Sequence, residues 1–349
     1  MSWMIYGANG YTGELIARAA VAQGLRPVLA GRSRDKVEAL ARELGLDSRV
    51  FALNAPADIA PQLQGMRVVL LTAGPFAHTS APMVAACIQA GAHYLDITGE
   101  IDVFEQVHAA DAAARQAGVV LCPGVGFDVI PTDCVAATLK AALPDATELR
   151  LGFDTTVSLS PGTLKTSLES APQGGRVRRQ GRLMQVPLAH DVRRIDFGRG
   201  ERLAVAVPWG DVATAFHTTG IPDITVYVPA SRLAVAGMKL GNRLQALMAM
   251  RPVQAALGAL VPLLVKGPNE AERARMPAYV WGEALNARGE RRTARVQTAN
   301  GYTLTVPGAL AVTTHLLHQD APAGFTTPAR LMGPGLLASL NGGGQIVVT

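Results

Sequence analysis

The sequence predicts an α/β protein: a doubly wound parallel sheet, with a second α+β domain containing a mixed or antiparallel sheet. Three observations carry this reading. Through the first 124 residues, apolar runs alternate with helical stretches of about 10–15 residues, the pattern of βαβ units. The apolar runs lack polar alternation, as strands buried on both faces do. After residue 132 the texture changes to short strand-like runs with few helices between them. A length of 349 residues with 49% hydrophobic content suits two domains at roughly 100–200 residues each. They are placed at 1–130 and 131–302.

Each element has its own justification. Residues 3–7 read as strand and 13–23 as helix; 26–31 is strand again. "SRDKVEALARELG" (33–45) is a helix with Ser33 as N-cap and Gly45 as its stop. Residues 49–54 form a strand, a short helix follows near 58–64, and 67–74 is an apolar strand. "SAPMVAACIQAG" (80–91) is a helix closed by Gly91, 93–98 a strand, 101–118 one helix, and 119–124 the sixth strand. In the second domain, 132–143 is helix and strands fall at 148–155, 183–187, 193–198, 203–207 and 224–228. Residues 163–170 read as helix, 231–265 as one or two apolar helices broken at Pro252, and 278–298 as a hairpin turning at Arg288-Gly289. Helices at 306–318 and 327–340 end the chain.

The first strand runs into "GANGYTG", with Gly7, Gly10 and Gly13 three apart where a helix begins. Gly7 permits a sharp bend, Gly10 lets the backbone approach a pyrophosphate, and Gly13 lets the helix pack close to the sheet. Amides at a helix start then meet the anion. This is a Rossmann-type dinucleotide turn in a GxxGxxG spacing, drawing in Ala8, Asn9, Tyr11 and Thr12. At the tip of the second strand an NAD site would carry an acid for the ribose 2′-hydroxyl. Here stand Gly31, Arg32 and Ser33, and Asp35 is already inside the helix. Arg32 can pair with a 2′-phosphate and Ser33 can donate to it, so NADP(H) is expected. The loop after the fourth strand, Thr72, Ala73, Gly74, Pro75 and Phe76, is placed against the far ribose and nicotinamide, and Asn54 joins the cofactor set.

Composition limits the rest. The net charge of +5 is carried mostly by arginine, with five lysines. Basic residues are scattered, and neither zinc-finger spacing nor a long basic run is present, which argues against nucleic-acid binding. Three cysteines with no CxxC pair fit reduced thiols in the cytoplasm. No signal peptide is expected, since Gly7 already opens a motif. The uncharged run at 252–265 is too short to span a bilayer, which takes about 20 apolar residues.

"GANGYTGELIAR", "LAGRSRDKVEALARELG", "VVLLTAGPFA", "MVAACIQAGAHYLDITGE" and "PGVGFDVIPTD" together resemble the saccharopine-dehydrogenase-like oxidoreductases. The bacterial branch that includes trans-acting enoyl reductases is the most similar, and residues 267–305 also look like it. The resemblance implies NADP(H), reduction of an enoyl, carbonyl or imine substrate, and a second domain mediating homodimerisation. By the same analogy, residues from about 303 to 349 pack back on the first domain.

Catalytic groups are less legible. No Tyr is followed four residues later by Lys. The turn also resembles that of acyl-phosphate and semialdehyde reductases, which use a cysteine nucleophile. Cys122 sits at a buried strand end, and Cys134 opens a helix whose dipole could lower its pKa. His78, Asp96, Glu100 and Asp128 are the polar groups placed near the nicotinamide as proton donor or relay. Each has a structural alternative: Asp96, Glu100 and Asp128 in bonding nearby backbone, His78 as a surface residue. Lys165 could reach in from the second domain. His315 and His318 have no acidic partner at metal-ligand spacing, so no metal is expected. The apolar 231–265 region is read as core, dimer face or a lipid-facing groove, with a lipid-like substrate or a peripheral membrane contact under the last. A non-catalytic NADP(H)-binding regulator stands as the rival function.

Overall fold

Trp3, Met4, Ile5 and Tyr6 are all buried in the computed structural model, which describes residues 2–155, 174–243, 250 and 276–349. A strand covered on both faces belongs inside a sheet, and β1 (Ser2–Tyr6) lies there. Next in chain order come α1 (Tyr11–Ala22), β2 (Val28–Gly31), α2 (Arg34–Leu44), β3 (Ser48–Val50) and α3 (Pro56–Ile59). Then follow β4 (Met66–Leu71), α4 (Phe76–Ala90), β5 (His93–Asp96), α5 (Ile101–Ala109), α6 (Asp111–Ala117) and β6 (Val120–Cys122). α2 shows the local logic: Val37, Leu40 and Ala41 are buried on one face, Ser33 is the N-cap, and Gly45 closes the helix in the left-handed region.

Three sequence expectations shift here. β3 stops at Val50 rather than running to 54; it is an edge strand with β2 as its one neighbour. α4 starts at Phe76, four residues before Ser80. The single helix expected at 101–118 breaks at Ala110 (φ −88°, ψ 4°). The break starts α6 at Asp111, which accepts the Phe325 amide at 2.7 Å and pairs with Arg115 at 2.8 Å.

The chain continues through α7 (Ile130–Ala142), β7 (Ala146–Thr155), β8 (Gly175–Arg179), β9 (Arg182–Val186), β10 (Val192–Asp196), β11 (Glu201–Val207) and α8 (Asp211–Thr219). It goes on through β12 (Asp223–Pro229), α9 (Arg232–Arg243), β13 (Ala278–Asn286), β14 (Arg291–Thr298) and α10 (Gly301–His318). It ends with β15 (Gly324–Phe325), α11 (Pro328–Met332), α12 (Leu336–Ser339) and β16 (Val347–Val348). α10 begins five residues before the expected 306, and the helix expected at 327–340 is two, split at Gly333-Pro334. Proline cannot continue the ladder there. The expected helix at 163–170, Lys165 and most of 231–265 lie outside the described residues.

Two compact units result: 1–134 with 304–341, and 135–303 with 342–349. The first holds a seven-stranded sheet in the order β15-β6-β5-β4-β1-β2-β3, every pair parallel. β15 is a seventh strand beyond the six that the sequence suggests. The second unit holds a nine-stranded mixed sheet in the order β10-β11-β12-β7-β13-β14-β16, with the β8-β9 hairpin attached to β12. Among the described strands of this sheet, only β12 and β7 pair in parallel. In the first sheet the order reverses between β1 and β4, and Tyr6 is level with both Ala30 and Leu71. In open α/β sheets, ligands bind beyond the strand ends at such a switch point.

Candidate functional site

The chain leaves β1 through Gly7, whose φ is +89° and whose amide donates to Ala30 O at 2.8 Å. A Cβ on Gly7 would lie 2.7 Å from the Ala73 amide nitrogen. One on Gly13 would strike Gly7 O and come within 2.8 Å of Thr72 Oγ1. These two glycines therefore let the turn and α1 press against the end of β4. Gly10 differs: it is exposed, and the nearest atom to an added Cβ is Gly7 O at 3.2 Å. The first backbone bond of α1 runs from Glu14 N to Gly10 O at 2.9 Å. The amides of Tyr11, Thr12 and Gly13 thus precede the helical ladder, at the positive end of the helix dipole. Asn9 stands beside the tip of β2, its Oδ1 3.0 Å from where a Gly31 Cβ would be.

The β2 tip is basic and open. Arg32 is exposed, and among the described residues it makes neither an ion pair nor a hydrogen bond. Its charge is felt by the Tyr6 phenol, whose pKa burial pushes up to about 12 against the pull of Arg32. Ser33 caps α2 by position, but its hydroxyl makes no capping bond and can meet a ligand. The tip sequence Gly31-Arg32-Ser33-Arg34 carries no carboxylate; Asp35 is in the first turn of α2. Asn54 is exposed and lies four residues past β3.

The loop after β4 is built from within the unit. The Thr72 amide and hydroxyl both donate to Tyr6 O, at 2.8 and 3.0 Å, tying the end of β4 to the end of β1. Thr79 Oγ1 donates to Ala73 O at 2.7 Å. Glu100 accepts the Phe76 amide at 3.1 Å and the Ala77 amide at 3.0 Å. Its carboxylate caps α4 across the loops rather than the helix that follows it. That explains the early start of α4, and it fills with protein the anion position at this helix N-terminus. Burial raises the Glu100 pKa against these amide bonds.

Asp96 is the hub beneath. Its Oδ1 accepts the amides of Thr98 at 3.0 Å and Gly124 at 2.8 Å, and its Oδ2 accepts the Tyr94 hydroxyl at 2.6 Å. Thr98 Oγ1 accepts the Glu100 amide at 3.1 Å. The loops after β4, β5 and β6 are thus linked by one chain of hydrogen bonds. Burial pushes the Asp96 pKa up to about 6 despite three donors. Further along the loop after β6, Thr305 Oγ1 of α10 accepts the Phe127 amide at 3.0 Å. Sequence spacing held no signal for these partners, which are 23 to 178 residues apart.

His78 is exposed in the first turn of α4, and its amide donates to Pro75 O. Asp128 packs over Gly99, and burial pushes its pKa up to about 6. The cysteine-nucleophile alternative is corrected here. Cys87, Cys122 and Cys134 are all buried. Cys134 is the fifth residue of α7, beyond its first turn; burial and then the neighbouring Asp133 push its thiol up to about 12. Burial drives Cys122 up as well. A thiol so raised holds almost no thiolate at neutral pH. Among the described residues, no cluster of His, Cys, Asp and Glu could hold a metal ion.

A glycine turn at a switch point, with a basic second strand tip, matches a known family over residues 3–122: the saccharopine dehydrogenase NADP binding domain. A Mycobacterium tuberculosis protein assigned as a trans-acting enoyl reductase is 37% identical over 157 residues, covering 41% of this chain and 36% of the relative. The chain thus matches little more than a third of that relative's length. Among solved structures, apo saccharopine dehydrogenase (L-Glu forming) from Saccharomyces cerevisiae superposes with a TM-score of 0.68 at 10% identity, covering 100% of this chain and 99% of the other. Homospermidine synthase from Legionella pneumophila, in complex with NAD, gives 0.65 at 10% identity, covering 100% and 91%. Both likenesses show a common fold. The sheet order β5-β4-β1-β2-β3 places the Gly7–Gly13 turn, the β2 tip and the Thr72–Phe76 loop at the carboxyl ends of three neighbouring strands.

Proposed function

We propose that the protein is an NADP(H)-dependent oxidoreductase acting on an enoyl, carbonyl or imine substrate. Residues 1–130 serve as the dinucleotide domain and 131–302 as the substrate and dimerisation domain. The carrying observation is the placing of an open Gly10, with helix-start amides beside it, next to a strand tip where Arg32 is exposed, with no ion pair among the described residues, and the Ser33 hydroxyl makes no capping bond. In this reading Gly7 to Gly13 hold the pyrophosphate, Gly31, Arg32 and Ser33 the 2′-phosphate ribose, and Thr72 to Phe76 the far half, with Asn54 alongside. The dinucleotide, when bound, supplies the hydride; the chain supplies position and a site with little water. Asp96 and Glu100 hold the loops. His78 and Asp128 remain as the candidate proton donors.

The name of the mycobacterial relative puts the enoyl class first. Three buried cysteines that form no disulfide fit the reducing cytoplasm, and homodimerisation rests on family analogy. NADPH titration followed by turnover on a panel of enoyl, carbonyl and imine substrates tests the reading. Binding with turnover on one class is expected; binding without turnover would favour the regulator, and no binding would end both.

Gly10→Ala separates fold from site. An added methyl there meets only Gly7 O, so stability is expected to fall by under about 1 kcal/mol, the usual scale for an N-cap change. NADPH affinity is expected to fall roughly tenfold, because the methyl occupies the anion's approach. Thermal unfolding and fluorescence titration read the two effects.

A further inference from the structure

Among the described residues, the contacts of α9 lie on one side. Val235 is buried and Met238 packs beside it on Ala189 and Val205. Asn242 grips the Leu188 backbone, Oδ1 accepting its amide at 2.8 Å and Nδ2 donating to its carbonyl at 2.9 Å. At 3.6 residues per turn these three positions share a face. Leu233 and Leu240, seven apart, lie together on the opposite one, 84% and 56% exposed. Ala236 and Gly237 are exposed between them, and Arg232, Lys239 and Arg243 form an exposed flank on one side. A single exposed leucine needs no explanation; two stacked on the outward face of a basic helix do. The surrounding sequence has the same charge bias: between Asp223 and Glu270 there is no acid, and five cations.

We propose that this face of α9 docks on an anionic lipid bilayer. Leu233 and Leu240 enter the boundary between headgroups and acyl chains, while Arg232, Lys239 and Arg243 meet the lipid phosphates and carboxylates. Charge complementarity selects this occupant. A second copy docking by the same face would bring like cations together, since a two-fold interface places one patch on itself. No described helix is long and apolar enough to cross a membrane, so the helix lies on the surface. The proposal is independent of the dinucleotide reading.

Co-sedimentation of the full chain with vesicles tests it, comparing phosphatidylcholine alone with an equimolar mixture of phosphatidylcholine and phosphatidylserine. The wild type is expected to bind the mixed vesicles, to bind phosphatidylcholine weakly, and to release as salt rises. Leu233→Ser with Leu240→Ser is expected to weaken binding at least about tenfold, from the lost apolar burial. Neutralising the three cations to Gln is expected to weaken it about a hundredfold at low salt, near fivefold per charge. These positions are exposed, so thermal unfolding and NADPH binding should stay as in the wild type. No binding to the mixed vesicles, or equal binding by both variants, overturns the proposal. A wild-type dimer that the leucine variant converts to monomer, with no vesicle binding, would assign the face to a second copy instead.

Discussion

Arg32→Asp is expected to cut NADPH affinity by about a hundredfold or more while leaving NADH affinity near its wild-type value. A hydrogen bond to a charged group contributes about 1.5–3 kcal/mol, and a guanidinium can meet a phosphate with two. Losing that pairing alone accounts for roughly one to two powers of ten. The new carboxylate then faces the dianionic 2′-phosphate and repels it, whereas it can accept from the 2′-hydroxyl of NADH. Arg32 is exposed and makes no ion pair or hydrogen bond among the described residues, so the substitution removes no internal contact, and the melting temperature should hold. Fluorescence titration with both dinucleotides reads the result. Equal wild-type affinities for NADPH and NADH would sink the 2′-phosphate argument.

This part of the site was legible in sequence because its logic is local. Gly7, Gly10, Gly13 and Arg32 lie within 26 positions at the first two strand ends, and each is constrained by the backbone or, in the proposed reading, by the dinucleotide. The alternating pattern likewise announced the parallel sheet. Illegible features depend on distant partners. Nothing in "YLDITGE" says that Glu100 caps a helix 24 residues upstream, or that Asp96 holds the Gly124 amide. β15 is two residues long, with no period to detect. It pairs with β6 and is secured by Asp111 on the Phe325 amide. The helix break at Ala110 is equally silent, since alanine favours continuing a helix; the demand comes from where Asp111 must reach. Cys134 shows the reverse error. Its predicted place near a helix start suggested an activated thiol, but burial overrides the dipole.

The linkage through Asp96 makes the second large prediction. Asp96→Ala removes the acceptor of two buried amides and of the Tyr94 hydroxyl. Unsatisfied buried donors cost about 1–3 kcal/mol each and are not additive, so a loss of about 3–5 kcal/mol is expected near pH 5. NADPH binding should weaken with it, because Thr98 and Glu100 then lose the support that fixes the loop at Phe76 and Ala77. Asp96→Asn keeps an oxygen for both amides and can donate to the Tyr94 oxygen, so its stability should stay within about 1 kcal/mol of wild type. The pair differ further in pH dependence. Burial raises the Asp96 pKa from 3.8 to about 6 in the folded state. The folded protein therefore binds this proton more tightly than the unfolded chain. The stabilisation is complete below about pH 4 and is lost as pH rises through 6, by at most about 3 kcal/mol. Asp128 and Glu100 contribute in the same direction, so only the difference between wild type and Asp96→Asn isolates Asp96. Urea unfolding from pH 4 to 7.5 should show a shallower decline for the Asn variant. Parallel curves for the two proteins would mean that the Asp96 carboxyl stays ionised across the range, held by its three donors against desolvation.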